Sequence, residues 1–218
     1  LSLEDVWSFI RGYAPDCKEL SMLLYKNDFH NLKAALKSLI AGKEPERYFI
    51  RPTNLDTAEL FRLISAKDFE SLPEYIRDAA KEAYELLTRT LDGQLADSLI
   101  DTSAIRTLLR DAEQTGSEFI QRYAQLTAAS ADIRTAYRCA LMKKQRSFLD
   151  TAVAGCPDID REQLIDAALD STDAVLDFVA QTPYSEAALQ LRISPAAFEK
   201  WCDDAVMELA ESARLRAF

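Results

Sequence analysis

The chain has 218 residues, a formal net charge of −10, 48% hydrophobic and 28% charged residues, and only 5 glycines and 7 prolines. Good helix formers dominate and runs of β-branched residues are nearly absent, which predicts an all-α protein. The negative charge argues against a nucleic-acid partner, because phosphate binding needs a surplus of lysine and arginine on one face. No apolar stretch approaches the length needed to cross a bilayer, and the sequence does not open with a signal peptide.

The sequence opens with a predicted helix. Ser2 and Asp5 have the spacing of a capping box, in which each side chain accepts a hydrogen bond from the backbone of the other residue. Gly12 and Pro15 are expected to end this helix, because neither residue continues a helix readily. A second helix is predicted at about 16–25.

The stretch NDFHNLKAALKSLIAG predicts a third helix. Asn27 and Asp28 are interpreted as its N-cap residues and Gly42 as its C-terminal stop. Its apolar residues recur on one face, and these are Phe29, Leu32, Leu36, Leu39 and Ile40. His30, the single histidine, lies about 140° from the centre of that face, so we expect it to face solvent or a partner rather than to act in catalysis.

Helical periodicity continues to the end of the sequence. Asp56 and Glu59 have the acid-x-x-acid spacing of a helix start, and Pro73 suits the first turn of a longer helix. Ser194 and Pro195 mark the start of the last helix. The helices expected after position 93 are at 94–114, 117–128, 131–150, 160–170, 172–181, 184–192 and 195–216. No strand is predicted.

Two parts of the chain resemble each other. NLKAALKSLIAGK at 31–43 aligns with DIRTAYRCALMKK at 132–144, a shift of 101 residues, and LDTAELFRLI at 55–64 aligns with IDREQLIDAA at 159–168, a shift of 104. The matched polar positions are Asn31 with Asp132, Lys33 with Arg134, Lys37 with Arg138, Asp56 with Asp160, and Glu59 with Gln163. A repeat of about a hundred residues is longer than solenoid units and predicts helical bundles in succession. The predicted bundles are at 1–92, at 93–183 and, as the start of a third, at 184–218.

No grouping of side chains in the sequence indicates catalysis, and we predict no catalytic, cofactor-binding or metal-binding residue. The four cysteines form no Cys-x-x-Cys pair and a single histidine cannot complete a zinc site, so buried free thiols are expected. These cysteines are Cys17, Cys139, Cys156 and Cys202. Asp97 and Asp101 lie one helical turn apart, where a surface charge network with Arg106 and Arg110 is favoured over a shared cation.

Asp203 and Asp204 in KWCDDAVMELAE invite comparison with the magnesium motifs of helical isoprenoid enzymes. The third carboxylate of such a motif would fall at position 207, which is Met, and no second acidic cluster accompanies it. A solvated helix face is therefore favoured. A magnesium-dependent helical enzyme and a generic helical scaffold or adaptor protein are the alternatives that the residues leave open.

Ordered fragments along nearly the whole chain resemble one family. The first part of the chain is similar to the C subunit of the V-type (archaeal/bacterial A/V-type) ATP synthase/ATPase, the counterpart of the vacuolar ATPase d subunit. The similar fragments are YKNDFHNLKAALKSLIAGK, PTNLDTAELFRLI and LPEYI with the long helix after it. DGQLADSLIDTSAIRTLLRDAEQTGSEFIQRY resembles the linker helices that lead into the second repeat of that family, and ADIRTAYRCAL resembles the asparagine-lysine helix of that repeat. Asp132 departs from the family pattern, which has asparagine there.

The resemblance implies repeated helical bundles that form part of a pseudo-threefold funnel, of which this chain holds about two bundles. It implies a non-catalytic central-stalk (rotor) subunit that couples the central-shaft D and F subunits to the membrane proteolipid (c/K) ring and transmits torque for ion transport. Such a subunit is cytoplasmic, is attached to the membrane through its complex, and needs no cofactor. Because the sequence begins with Leu rather than Met, we expect it to be an excerpt from a longer protein, and its negative charge favours basic partner surfaces.

Overall fold

A computed structural model describes residues 2–14 and 17–216, and within these ranges the chain forms twelve α-helices, two 3-10 helices and no strand. The prediction of an all-α fold is confirmed, whereas the pseudo-threefold funnel stays a prediction. The α-helices are α1 Leu3–Tyr13, α2 Lys18–Met22, α3 Tyr25–Ala41, α4 Thr57–Ala66, α5 Glu74–Thr90, α6 Gly93–Glu113, α7 Glu118–Leu141, α8 Arg146–Ala152, α9 Arg161–Asp170, α10 Thr172–Val179, α11 Ser185–Ile193 and α12 Pro195–Arg216. The 3-10 helices are Glu46–Tyr48 and Phe69–Ser71.

The chain divides into two compact units, with the boundary between Leu108 and Leu109. The first unit contains α1 to α5 and most of α6, and the second contains α7 to α12. The three bundles expected from the repeat, with boundaries at 92/93 and 183/184, stay a prediction.

Helix ends that are determined by local side chains agree with the sequence. Ser2 and Asp5 form the capping box of α1, with donor–acceptor distances of 2.7 and 3.1 Å. The carboxylates of Asp56 and Asp160 each accept a hydrogen bond from the amide three residues further on, at 2.8 and 2.9 Å, so equivalent caps begin α4 and α9. Gly42 ends α3 with a φ of +62°, a left-handed conformation in which glycine carries no steric penalty.

The predicted beginning of α3 is wrong. The helix starts at Tyr25, two residues before Asn27, and the N-cap position is occupied by Leu24, whose side chain makes no capping hydrogen bond. Asp28 is therefore inside the first turn, where its carboxylate binds a distant loop instead of the local amides. The preceding helix α2 is also shorter than predicted, and Pro15, expected to end α1, lies outside the described residues.

The predicted break near position 130 is also wrong, because α7 runs without interruption from Glu118 to Leu141. Ala128, Ala129 and Ser130 are buried in the middle of this helix, where their small side chains allow the neighbouring helices to approach closely. The helix ends instead before Lys143, which has a φ of +52°, and α8 then begins as a separate element.

In the first unit, α3 packs against α4 and α5 through the face predicted to be apolar. Phe29, Leu32 and Leu36 are almost completely buried, together with Leu60 and Ile64 of α4, whereas Ile40, also predicted on this face, is 43% exposed. Burying each such side chain stabilises the fold by about 1.5–3 kcal/mol. The core of this unit therefore covers one face of α3 and leaves the opposite face for other contacts.

In the second unit, α7 takes the place that α3 has in the first. It packs against α9, α10 and α12, and α11 packs against α10 and α12. Ile133 of α7 and Phe198 of α12 are buried together with Leu164 and Val175 of the intervening helices. The equivalent of the asparagine-lysine helix is thus again the central helix of its unit.

Candidate functional site

A buried asparagine in α3 holds the loop that precedes α4. The side-chain amide of Asn31 donates a hydrogen bond to the carbonyl oxygen of Ile50 at 3.0 Å, and its oxygen accepts one from the Ile50 amide at 2.9 Å. An amide side chain carries a donor and an acceptor side by side, so it can satisfy both backbone groups of one residue. Ile50 lies six residues before Asp56, the cap of α4, so Asn31 fixes the corner through which the chain enters that helix.

Asp132 holds the equivalent corner in the second unit. Its carboxylate accepts hydrogen bonds from the amides of Ala154 and Gly155, both at 2.7 Å. Ala154 lies six residues before Asp160, the cap of α9, so the register of the repeat is the same in both corners. A carboxylate cannot donate, and the loop accordingly presents two N–H groups, with Gly155 at a φ of +88°. Asp132 therefore holds the equivalent loop from the equivalent position, although it only accepts hydrogen bonds whereas Asn31 both donates and accepts.

Asp28 adds a second tie to the corner of the first unit. Its buried carboxylate accepts hydrogen bonds from the amides of Asn54 and Leu55, from the Asn54 side chain, and from the Tyr75 hydroxyl at 2.8 Å. Burial raises the pKa of Asp28, and these hydrogen bonds oppose that rise. Burial, followed by the charge of Asp28, raises the pKa of Tyr75, which keeps its hydroxyl protonated as a donor. The ring of Tyr75 also stacks on Tyr25, with centroids 4.5 Å apart.

The opposite face of α3 is basic and borders a groove of about 510 Å³. Lys33 pairs with Asp101 at 2.6 Å and Lys37 pairs with Asp97 at 2.5 Å, which joins α3 to α6. The two aspartates thus pair with lysines of another helix, which the sequence did not indicate, while Arg110 pairs with Asp111 at 2.8 Å. A network of the aspartates with Arg106 and Arg110 stays a prediction. Lysines one turn apart on α3 face aspartates one turn apart on α6, and such cross-helix pairs depend on the packing of the two helices.

His30 lies at one end of this groove and is half-buried. Its Nε2 atom is 3.2 Å from the carbonyl oxygen of Tyr48. Because a carbonyl oxygen only accepts, Nε2 carries the hydrogen in this contact. The sequence placed the ring on the side of α3 away from the core, but it gave no indication that the backbone of the 3-10 helix would orient it.

The expectation of buried thiols holds for two of the four cysteines, since Cys17 and Cys202 are only half-buried, and the acidic pair of α12 lies on an exposed face as the sequence indicates. Cys139 and Cys156 are buried, and burial raises the pKa of Cys156 to about 11, so this thiol stays protonated at neutral pH. Asp204 pairs with Lys200 one turn earlier, and Asp203 is exposed. Within the described ranges no group of three or more histidine, cysteine, aspartate or glutamate side chains could hold a metal ion. The prediction that the chain has no catalytic, cofactor-binding or metal-binding residue stays a prediction.

Several helices expose apolar side chains that the sequence patterns did not single out. Phe9 and Tyr13 of α1 are 65% and 80% exposed and their rings contact each other. Leu189 and Ile193, one turn apart on α11, are also largely exposed. Contiguous exposed apolar surface commonly marks a site of protein–protein contact. None of the helices in the described ranges has the length and hydropathy required to span a bilayer.

Comparison with known proteins gives one family. The family model described as ATP synthase (C/AC39) subunit matches residues 1–218. The C subunit of the V-type sodium ATPase of Enterococcus hirae is 23% identical over 221 residues, which cover 98% of this chain and 66% of that relative. The chain thus spans slightly less than two thirds of the length of the curated relative it matches. No solved structure matches the chain.

Proposed function

Because the chain belongs to the ATP synthase (C/AC39) subunit family, as the resemblance of its sequence fragments predicts, we propose that it is a non-catalytic central-stalk (rotor) subunit of a V-type ATPase or ATP synthase. In this role it couples the central-shaft D and F subunits to the membrane proteolipid ring and transmits torque for ion transport. It lies on the cytoplasmic side and reaches the membrane through the complex. The observation that carries this proposal is the family match along the whole chain.

The corners of both units support a mechanical role. A subunit that transmits torque must not yield where a helix passes into a loop. Asn31 and Asp132 fix those passages in the two units, and Asp28 ties the first one to α5 through Tyr75. The side chains of Asp28, Asn31 and Asp132 are themselves buried, where leaving a polar group without a partner is costly.

The surface supports the proposed contacts. Exposed aromatic side chains on α1 and exposed aliphatic side chains on α11 offer apolar area for protein partners. The net charge of −10 favours partners with basic contact surfaces and speeds their encounter. A subunit held between a shaft and a ring needs two such surfaces, whereas an enzyme needs a constellation of reactive groups.

The proposal is tested by affinity capture with the full-length protein as bait and with the D–F shaft and the proteolipid ring of the same organism as separate prey. We expect both to be retained at low salt. Retention of neither would contradict the rotor function and favour a generic helical scaffold. If retention of the D–F shaft does not change between low and high salt, charge complementarity is not what holds the shaft.

A further inference from the structure

We propose that the groove along α3, between the 3-10 helix Glu46–Tyr48 and α6, binds a short acidic segment of a partner protein in an extended conformation. This proposal goes beyond rotor coupling and does not rest on it. It rests on the shape of the groove, on its charge and on the spacing of its lysines.

The groove follows one stripe of α3. His30, Ala34, Ser38 and Ala41 recur at intervals of three or four residues, which places them on the same side of the helix. The three small side chains leave room above the helix backbone, and Tyr48 borders the groove on the side of the 3-10 helix. From the first to the last of these positions the helix rises about 16 Å, the length of about five extended residues.

The groove is basic although the protein is strongly acidic. Three lysines line it against one aspartate, Asp97, while the chain as a whole has a net charge of −10. Lys43, at the end of the groove, is exposed and makes no ion pair with any residue of the described ranges. A concentration of ammonium groups in a concave surface selects a partner with carboxylates.

The lysine spacing selects an extended acidic segment. Lys33 and Lys37 are one turn apart, which separates their side chains by about 6 Å. In an extended peptide, residues i and i+2 point to the same side and are about 7 Å apart, so an acid-x-acid sequence matches the two lysines. Asp97 and Asp101, which are also one helical turn apart, already present carboxylates to the two lysines. Each carboxylate accepts one hydrogen bond from the ammonium group of its lysine. Each ammonium has three N–H groups, which leaves donors for a second carboxylate.

The second unit provides a comparison in which the equivalent arginine is engaged by a carboxylate through two hydrogen bonds and by an aromatic ring. Arg134, the counterpart of Lys33, donates two hydrogen bonds to Glu199 at 2.6 and 2.8 Å. Its guanidinium carbon also lies 5.5 Å from the ring centroid of Phe198, which is buried. Arg138 and Lys144 are the counterparts of Lys37 and Lys43, so their replacement removes the same charge from a different surface.

The test measures fluorescence anisotropy of a fluorescein-labelled peptide of alternating Glu and Ala, titrated with the full-length protein, beside a peptide of alternating Gln and Ala. We expect only the Glu peptide to bind. Lys37→Ala combined with Lys43→Ala should weaken its binding about tenfold, as expected for the loss of two exposed ion pairs. Arg138→Ala combined with Lys144→Ala should change it less than about twofold. Equal weakening by both double variants, or equal binding of the Gln peptide, would overturn the proposal.

His30 supplies an independent readout. Its imidazole NMR signals are assigned by their loss in a His30→Gln variant, and the Glu peptide should shift them in the wild type but not in the Lys37/Lys43 variant. Ala41→Glu, at an exposed position, places a negative charge in the groove without removing an ion pair and should also abolish binding. If inorganic phosphate shifts the His30 signals equally and displaces the peptide, the groove is a simple anion site and the proposal is wrong.

Discussion

Asn31 in the first unit and Asp132 in the second hold corners of the same register by different chemistry. The asparagine satisfies both backbone groups of Ile50, while the aspartate accepts two successive amides. The first corner has a further buried carboxylate, Asp28, whose position in the second repeat is occupied by Ala129. The two repeats thus keep the position of the side chain that holds the loop, while the loop backbone differs to match the donors and acceptors of that side chain.

The largest expected effect tests the additional carboxylate of the first corner. Asp28→Ala leaves the donors of Asn54, Leu55 and Tyr75 without their acceptor in a buried site, and we expect it to lower the free energy of unfolding by about 3–5 kcal/mol. Urea denaturation followed by circular dichroism measures the change. Asp203→Ala removes an exposed carboxylate and should change stability by less than about 0.5 kcal/mol. A small effect of Asp28→Ala would mean that the corner holds without it.

The next prediction compares the two equivalent ties directly. Asp132→Ala should lower the free energy of unfolding by about 2–4 kcal/mol, because the amides of the buried Ala154 and of Gly155 lose their carboxylate acceptor. Asn31→Ala should cost only about 1–2 kcal/mol, because Ile50 is 38% exposed and water can replace the lost bonds. The same urea experiment checks both variants, and the reverse order would show that the exposure of the loop does not decide the cost.

A smaller effect is expected at the glycines that shape the two repeats. Gly155→Ala should cost about 2 kcal/mol, because a φ of +88° lies well outside the left-handed region that alanine can adopt at about +57°, whereas the nearest atom, Cδ of Arg161 at 3.4 Å, is in ordinary contact with the added Cβ. Gly42→Ala, at a φ of +62° with no atom within 4 Å of the added Cβ, should cost about 1 kcal/mol from the backbone alone. Thermal denaturation of the two variants gives the comparison, and equal losses would mean that the difference in φ between the two glycines does not decide the cost.

The smallest expected effect is a pH dependence that belongs to the first corner. Burial raises the pKa of Asp28 above its ordinary value of 3.8, so the folded state binds a proton at a higher pH than the unfolded state. Between these two pKa values the folded state holds more protons, and the contribution of Asp28 to stability increases as the pH falls. Compared with Asp28→Asn, the wild type should gain stability as the pH falls from about 7 through the folded pKa of Asp28. Below the ordinary value no further gain is expected, and a loss over the same range would contradict the direction of the shift.

The sequence predicted the features that depend on near neighbours along the chain. The caps at Asp56 and Asp160 and the stop at Gly42 need only residues a few positions away, and the pairing of Asn31 with Asp132 followed from aligning the repeat. The features it missed depend on the packing of distant elements. Nothing near Asp28 in the sequence indicates that Tyr75 will bind it.

The two errors in helix boundaries have the same origin. Local signals suggested a cap at Asn27 and a break close to Ser130, yet both residues lie inside helices whose extent is determined by what they pack against. In the sequence, the lysines of α3 served only as matched positions of the repeat. Their pairing with Asp97 and Asp101 and the groove beside them required the position of α6.

The attachment of α1 has a consequence for local unfolding. This helix contributes no buried residue, and Arg11 anchors it by hydrogen bonds to the Thr53 carbonyl and the Asn54 side chain. Asn54 is in turn held by Asp28. The amides of α1 should therefore exchange with solvent deuterium through opening of this corner, at a lower free energy than the amides of α3, whose exchange requires the core to open.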